Sequence, residues 1–460
     1  MHRMIVILLS LVALHFTAPA MNAEEVWQAG AGKIVITPPS PMWMSGYASR
    51  SKPAEGVIHD LFAKALALQD PAGHKALVVT LDLVGIDRAT SRNICEQLQG
   101  QHGLQRSDIT ISTSHTHSGP VVGQNLISMY SLDERNLRLV HEYTQILSDR
   151  ILKVAADAFS NLAPAVLQYG SGRATFAVNR RTNREPDVPM LRESGQLVGP
   201  VDHDVPLLAV RAPDGRLRAV MFGYACHATV LSGMDWCGDW PGFAQLEIER
   251  RHPDTIAMFM AGCGADQNPL PRKTVELATD YGNQIADSLD RAMAGPVQPV
   301  NGTLQTAYRE IDLAFDQLPL KDQIEADLTS ENVYIARRAA HLLEKISHDG
   351  QLSPTYPYPV QVLHLGELQI VTLGGEVVVD YAIRLKDEVP GSSVWIAGYC
   401  NDVMAYIPSV RVLKEGGYEG ESAMIYYGLP TKWSLDVEDH IVRTVKDLAA
   451  VIPSARLPEK

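Results

Sequence analysis

The side chains best placed for chemistry in this 460-residue sequence gather in three short stretches. In STSHTHSGP (112 to 120), His115 and His117 stand two apart where a strand should end. On extended backbone, residues i and i+2 face the same side, so both imidazoles can converge on one ion or substrate. The alternative is a pair of loop histidines satisfied by hydrogen bonds. His227, in YACHATVL, repeats the situation at another strand end. Alone it reads as a structural histidine, but two such sites in one chain suit zinc, which is held by imidazoles plus a carboxylate with one position left open. Glu376, after the Gly374-Gly375 pair of GELQIVTLGGEVVVDYAIRLK (366 to 386), is the candidate carboxylate. Its other reading is a first-turn glutamate favoured by the helix dipole.

The second feature is a loop. The apolar run TIAMFM (255 to 260) leads into AGCGADQNPLPR (261 to 272), a polar turn holding Asp266, Gln267 and Asn268 but neither serine nor threonine. Asp82, in TLDLVG, is either a partner that orients a metal-binding imidazole or an acceptor for backbone donors at a strand end.

These residues need strands to end on and helices to follow. ALVVTLDLVGI (76 to 86) predicts a buried strand, DRATSRNICEQLQ (87 to 99) a helix opened by a capping aspartate, and DITISTS (108 to 114) a second strand. LVHEYTQILSDRILKVAADAFSN (139 to 161) has a helical apolar period. PLLAVRAPDGRLRAVMFGYAC (206 to 226) reads as a hairpin about Asp214-Gly215. Helices are predicted for FAQLEIERR (243 to 251) and for 274 to 294, charged helices for 320 to 347, and a strand pair for 360 to 374. The remaining Gly/Tyr-rich end shows no strong period. The alternation predicts an α/β fold of mixed β-sheets flanked by helices. Proline and glycine at 295 to 303 mark a candidate sub-domain joint, and no internal repeat is visible in the sequence.

Residues 1 to 23 join a short basic start to about 13 apolar residues and small residues suited to cleavage, the form of a signal peptide. No later stretch approaches the roughly 20 apolar residues of a membrane span. An exported protein, periplasmic or secreted and without a transmembrane anchor, is expected, with 24 to 460 as its hydrolase domain. A net charge of −13 argues against nucleic acid and anionic lipid as partners. Five scattered cysteines leave at least one unpaired; Cys226 and Cys237 are the nearest two available for a disulfide.

Together these residues carry a resemblance. The chain resembles the catalytic domain of the neutral/alkaline non-lysosomal ceramidase family, zinc amidases that cleave the N-acyl bond of ceramide. The similarity runs through AGAGKIVITPP, MSGYASRSKPAEGVIHDLFAKAL, SHTHSGP, AVNRR, ACHATVL, GGEVVVDYAIRL and NDVMAYIPSVRVLKEGGYEG, in that order. It implies one zinc ion bound by His115, His227, Glu376 and Tyr406. It makes His117 a residue that hydrogen-bonds substrate, where spacing alone would make it a second ligand. By the same resemblance Arg180 lines the site and Tyr418 polarises the scissile carbonyl. On residue type alone, the tyrosines would be packing or rim residues and Arg180 part of a solvated basic loop.

The sequence departs from the family in two places. With about 40 residues after Tyr418, the family's immunoglobulin-like carboxyl-terminal domain is not expected in this sequence. The family's Gly-Asp-x-Ser-Pro-Asn loop, whose serine is held to be the nucleophile, aligns with residues 264 to 269, and the serine position falls on Gln267 or Asn268. An amide is a poor nucleophile. The expectation is therefore a zinc hydrolase that cleaves a lipid or small-molecule amide by attack of zinc-bound water. Asp266 is the candidate base with His117 as alternative, and Gln267 or Asn268 would orient substrate. The competing readings are an esterase of a non-lipid small molecule and a binding protein that keeps the zinc but has lost turnover.

Overall fold

The computed structural model describes residues 26 to 391 and 393 to 451; the signal-like segment at 1 to 23 lies outside them. The fold is mixed α/β, built from three sheets that share one four-stranded plan, to which the first and second each add a two-residue edge strand. The first contains β1 (Gln28–Val35), β2 (Phe62–Gln69), β3 (Lys75–Leu81) and β4 (Ile109–Thr113). The second contains β5 (Val166–Arg173), β6 (Asp204–Arg211), β7 (Leu217–Tyr224) and β8 (Ile256–Ala261). The third contains β9 (Leu304–Ala314), β10 (Thr355–Leu365), β11 (Leu368–Leu373) and β12 (Ser393–Ala397). In each sheet the first three strands pair antiparallel in sequence order and the fourth lies parallel to the third.

A parallel pair needs a crossover, and each sheet uses a helix: α1 (Arg88–His102), α3 (Asp239–Arg251) and α7 (Val379–Glu388). The fold thus repeats three times a plan that leaves no repeat visible in the sequence. Five further helices pack outside or bridge strands: α2 (Glu134–Ser160), α4 (Val275–Ala294), the hairpin α5 (Lys321–Asp327) and α6 (Val333–Asp349), and then α8 (Val437–Val451).

One face of every sheet points into a shared central core, to which the sheets contribute Leu66, Leu68 and Val78, then Leu208, Met221 and Met258, then Leu363, Ile370 and Trp395. The opposite faces are covered by helices. Ala65 and Val79 meet α1 and α2, and Phe222 and Phe259 meet α3 and α4. With both faces buried, the strands read as near-continuous apolar runs rather than alternating ones. Gly30 and Gly32 are needed where α2 crosses β1: a Cβ would lie 2.2 Å from the Ala158 carbonyl oxygen at the first and 2.8 Å from that of Val154 at the second.

The sequence-based elements are found with shifted ends. The strand expected over 76 to 86 stops at Leu81, and the helix expected from 139 begins at Glu134 behind the capping Asp133. The unpatterned tail contains α8, whose buried Ile441, Val442 and Val445 pack onto the third sheet's outer face. Residues 295 to 303 place Gln298–Pro299 on the edge of β5 and Val300 in the central core. All five cysteines are free and buried, so the Cys226–Cys237 disulfide weighed from sequence is not formed.

The first and second sheets are tied by a buried charge. Lys64, on β2, reaches Glu249 of α3 at 2.8 Å and the Ala257 carbonyl at 2.7 Å, and Lys33 holds the other Glu249 oxygen at 2.6 Å. Removing one partner of such a pair leaves a desolvated charge uncompensated. Lys64→Ala is expected to destabilise by about 3 kcal/mol, read from urea unfolding; a loss below about 1 kcal/mol would mean that the pair contributes little.

Candidate metal centre

In α/β sheets, sites form beyond the carboxyl ends of the strands, and here those ends converge from all three sheets. His115 follows β4, His227 follows β7 and Glu376 follows β11, while the ends of β3, β8 and β12 supply Val84, Gly264 and Tyr399. Backbone hydrogen bonds lock the ends together: Thr113 N to Tyr399 O (3.2 Å), His227 N to Gln267 O (2.9 Å), Ala265 N to Val377 O (3.1 Å) and Gly398 N to Ala261 O (3.0 Å).

His115 takes a left-handed backbone (φ 60°) that turns its ring inward, and its Nδ1 donates to the Val84 carbonyl at 2.6 Å. His227 Nδ1 donates to the Gly264 carbonyl at 2.8 Å. Each imidazole therefore presents an Nε2 lone pair, and both face Oε2 of Glu376, at 3.1 and 3.2 Å. That carboxylate oxygen is buried and has no hydrogen-bond donor of its own. Two imidazole lone pairs set this close to a carboxylate oxygen are favourable when a cation lies among them. Their separations are close to the tetrahedral edge of about 3.3–3.5 Å that zinc bonds of about 2.0–2.2 Å produce. The donor set, two imidazoles and a carboxylate, fits a metal ion. Burial, followed by the nearby Arg180 charge, pushes His227 down to about 4, so its ring is neutral as a ligand must be.

Tyr406 sits beside Glu376 by register. Glu376–Val377 and Tyr406–Ile407 form a short parallel ribbon that pairs Glu376 with Tyr406. Gly375 makes this approach possible: its φ is +71°, and a Cβ there would lie 2.6 Å from Ile407 Cγ1. The Tyr406 hydroxyl lies 3.4 Å from His227 Nε2 and 3.1 Å from Arg180 Nη2. Arg180 also donates to Glu419 (2.8 Å) and to Asn268 Oδ1 (3.2 Å), and its guanidinium lies 5.8 Å from the Tyr418 ring centre. Tyr418, 41% exposed, stands at the mouth with its ring 5.3 Å from that of Tyr406. His117 Nε2 is 3.0 Å from His115 Nε2, and one ring nitrogen from each of the three histidines lies within 4.8 Å of the other two. Burial first, then the other two histidines, lowers His117 well below its ordinary range.

The loop residues sit differently from the roles expected of them. Asp266 is wholly buried: Oδ1 accepts from Val379 N at 2.9 Å and Oδ2 from Asn179 Nδ2 at 3.1 Å. It braces the loop against the start of α7. Gln267 is equally buried, its Nε2 donating to Ala225 O (2.5 Å) and its Oε1 accepting from Asp202 N (3.2 Å). Asn268 is held by Arg180. Asp82 accepts from Phe62 N and Gln245 and hydrogen-bonds neither His115 nor His227, so it is the strand-end acceptor; the carbonyls of Val84 and Gly264 orient the rings instead.

Three residues at this site were not singled out from sequence. Arg50 donates to the carbonyls of Ser45 (2.6 Å), His117 (2.6 Å) and Gly233 (2.9 Å), fixing the His117 loop. Tyr399 packs its ring 4.5 Å from that of His115, and Tyr427 donates its hydroxyl to Glu376 Oε1. No local spacing links any of them to the histidines.

Residues 27–265 match the family described as neutral/alkaline non-lysosomal ceramidase, N-terminal. The chain belongs to this ceramidase family. It is 24% identical over 253 residues to a neutral ceramidase of Drosophila melanogaster, covering 53% of this chain and 35% of the relative. It is 31% identical over 295 residues to neutral ceramidase 2 of Arabidopsis thaliana, covering 60% and 38%. These matches span little more than a third of either relative's length. The crystal structure of neutral ceramidase from Pseudomonas aeruginosa has the same fold, with a TM-score of 0.72 at 19% identity over 95% of this chain and 75% of that one. Among the described residues no helix is long and apolar enough to cross a membrane.

Burial raises Asp266 from 3.8 to about 6. Between those values the folded chain binds more protons than the unfolded one, so this residue's contribution to stability falls as pH rises through the window and is flat above it. Relative to Asp266→Asn, the wild type is expected to lose unfolding free energy between pH 4 and 6, measured by urea titration at both; an unchanged difference would place the carboxylate in a solvated setting.

Proposed function

We propose that this chain is a zinc-dependent hydrolase of N-acyl amides. The observation that carries the reading is the Glu376 oxygen facing two imidazole lone pairs, an arrangement that nitrogen-and-oxygen-binding zinc satisfies. His115, His227, Glu376 and Tyr406 are the residues that would hold the ion. When bound, zinc supplies a Lewis acid for the amide carbonyl and lowers the pKa of water to about 7.

The chain's own residues then divide the remaining work. Gln267 and Asn268, at the serine position, are engaged and non-nucleophilic, so water attacks the carbonyl carbon directly. The base is His117 rather than Asp266, because the Asp266 carboxylate is buried and holds the loop, whereas the His117 ring is neutral and partly open. Its Nε2 takes the water proton and returns it to the leaving nitrogen as the carbon–nitrogen bond breaks, releasing a carboxylic acid and an amine. Arg180 and Tyr418 supply donors for the carbonyl oxygen as charge develops on it. Family membership supports a lipid amide of the ceramide type as substrate, and the signal-like start supports export to the periplasm or medium.

A panel of ceramide, short N-acyl amides and esters assayed with zinc-loaded protein tests the reading. His227→Ala and Glu376→Gln are expected to abolish both zinc binding and turnover. His117→Ala is expected to keep zinc and lower kcat by about 10²–10⁴-fold. Zinc binding with no turnover on any member of the panel would instead identify a binding protein.

A further inference from the structure

The two oxygens of Glu376 have different surroundings. Oε2 faces the histidines, whereas Oε1 accepts the Tyr427 hydroxyl. Tyr427 is buried just beyond the single turn Ser422–Ile425, which sends two adjacent tyrosines to opposite sides. Tyr426 turns outward, its ring 5.1 Å from Tyr334 and 6.2 Å from Tyr418. Tyr427 turns inward. Gly428, at φ +68°, closes the turn so tightly that a Cβ would lie 2.8 Å from His341 of α6 and 3.1 Å from Ile127. Behind the Tyr427 ring lies a cavity of about 330 Å³ bordered by Asn125, His341 and Asp402. The ring is thus seated between that cavity and the metal centre, and its hydroxyl points at the centre.

We propose that Tyr427 is a positioning residue that commits Glu376 to bind the metal through Oε2 alone. A buried carboxylate with one unsatisfied oxygen is free to rotate, so it must be ordered when a cation binds and can turn its second oxygen toward the ion. A phenol donor on Oε1 removes that freedom and fixes the plane of the carboxylate, so the metal keeps a coordination position for water or substrate. Partners of metal ligands act in this way, and their loss weakens metal binding by about 10–100-fold. The inference rests on Glu376 being a ligand.

Tyr427→Phe keeps the ring and removes only the donor. Its zinc dissociation constant, read by competition with a chromophoric chelator, is expected to rise at least tenfold over the wild type. The cobalt-loaded variant is expected to lose visible absorption intensity as the second carboxylate oxygen enters the coordination sphere. Tyr427→His, which retains a donor on a smaller ring, is expected to recover part of the affinity and serves if the phenylalanine variant does not fold. His227→Ala is measured alongside. If it loses the metal while Tyr427→Phe matches the wild type in affinity and spectrum, the positioning role is overturned and the metal centre stands. If His227→Ala also keeps the metal, the centre itself is misassigned and both readings fall.

Discussion

A buried carboxylate oxygen set against two imidazole lone pairs is the constraint on which the site depends. Each ring is locked by its Nδ1 hydrogen bond to a main-chain carbonyl, so neither Nε2 is free to donate toward Glu376. A group of acceptors without a donor is costly in a desolvated interior unless a positive charge sits among them. The backbone enforces this arrangement through the left-handed turn at His115, the Gly374-Gly375 approach and the ribbon pairing Glu376 with Tyr406. Local conformation is held in a demanding form here, and what it produces is a cluster of acceptors that could hold a cation.

The larger architecture serves the same end. Three sheets that each close with a parallel pair direct six strand ends toward one region, while their inner faces share a core rich in leucine and methionine. Because His115, His227 and Glu376 each follow a strand of a different sheet, the site assembles only when the three sheets pack. Lys64 and Glu249 brace two of them with a buried ion pair, and the Asp266 carboxylate braces the loop after β8 against the helix that follows Glu376. The loop that holds Asp266, Gln267 and Asn268 is in this way a structural joint. Its polar atoms meet the main chain and Arg180, which leaves water as the attacking group in the reaction proposed.

Sequence by itself determined the element types and the family resemblance, and it pointed to most of the residues that the structure brings together at the candidate site. His115, His117 and His227 were visible because a strand-end imidazole is an unusual residue type in a recognisable position, and Glu376 because two glycines before a helix mark a close approach. Tertiary structure alone decided the rest. The threefold sheet plan was invisible because strands buried on both faces lose the alternation that reveals orientation, and α8 was missed because its period is short and preceded by irregular turns. Asp266 and Gln267 looked available for chemistry because a sequence does not show which backbone donors will meet a polar side chain, and packing engages both. Tyr427 and Arg50 could not be found at all: one lies 51 residues from its partner Glu376 and the other 67 from His117. Such contacts are a property of how the sheets meet, and no local physical signal in the chain encodes them.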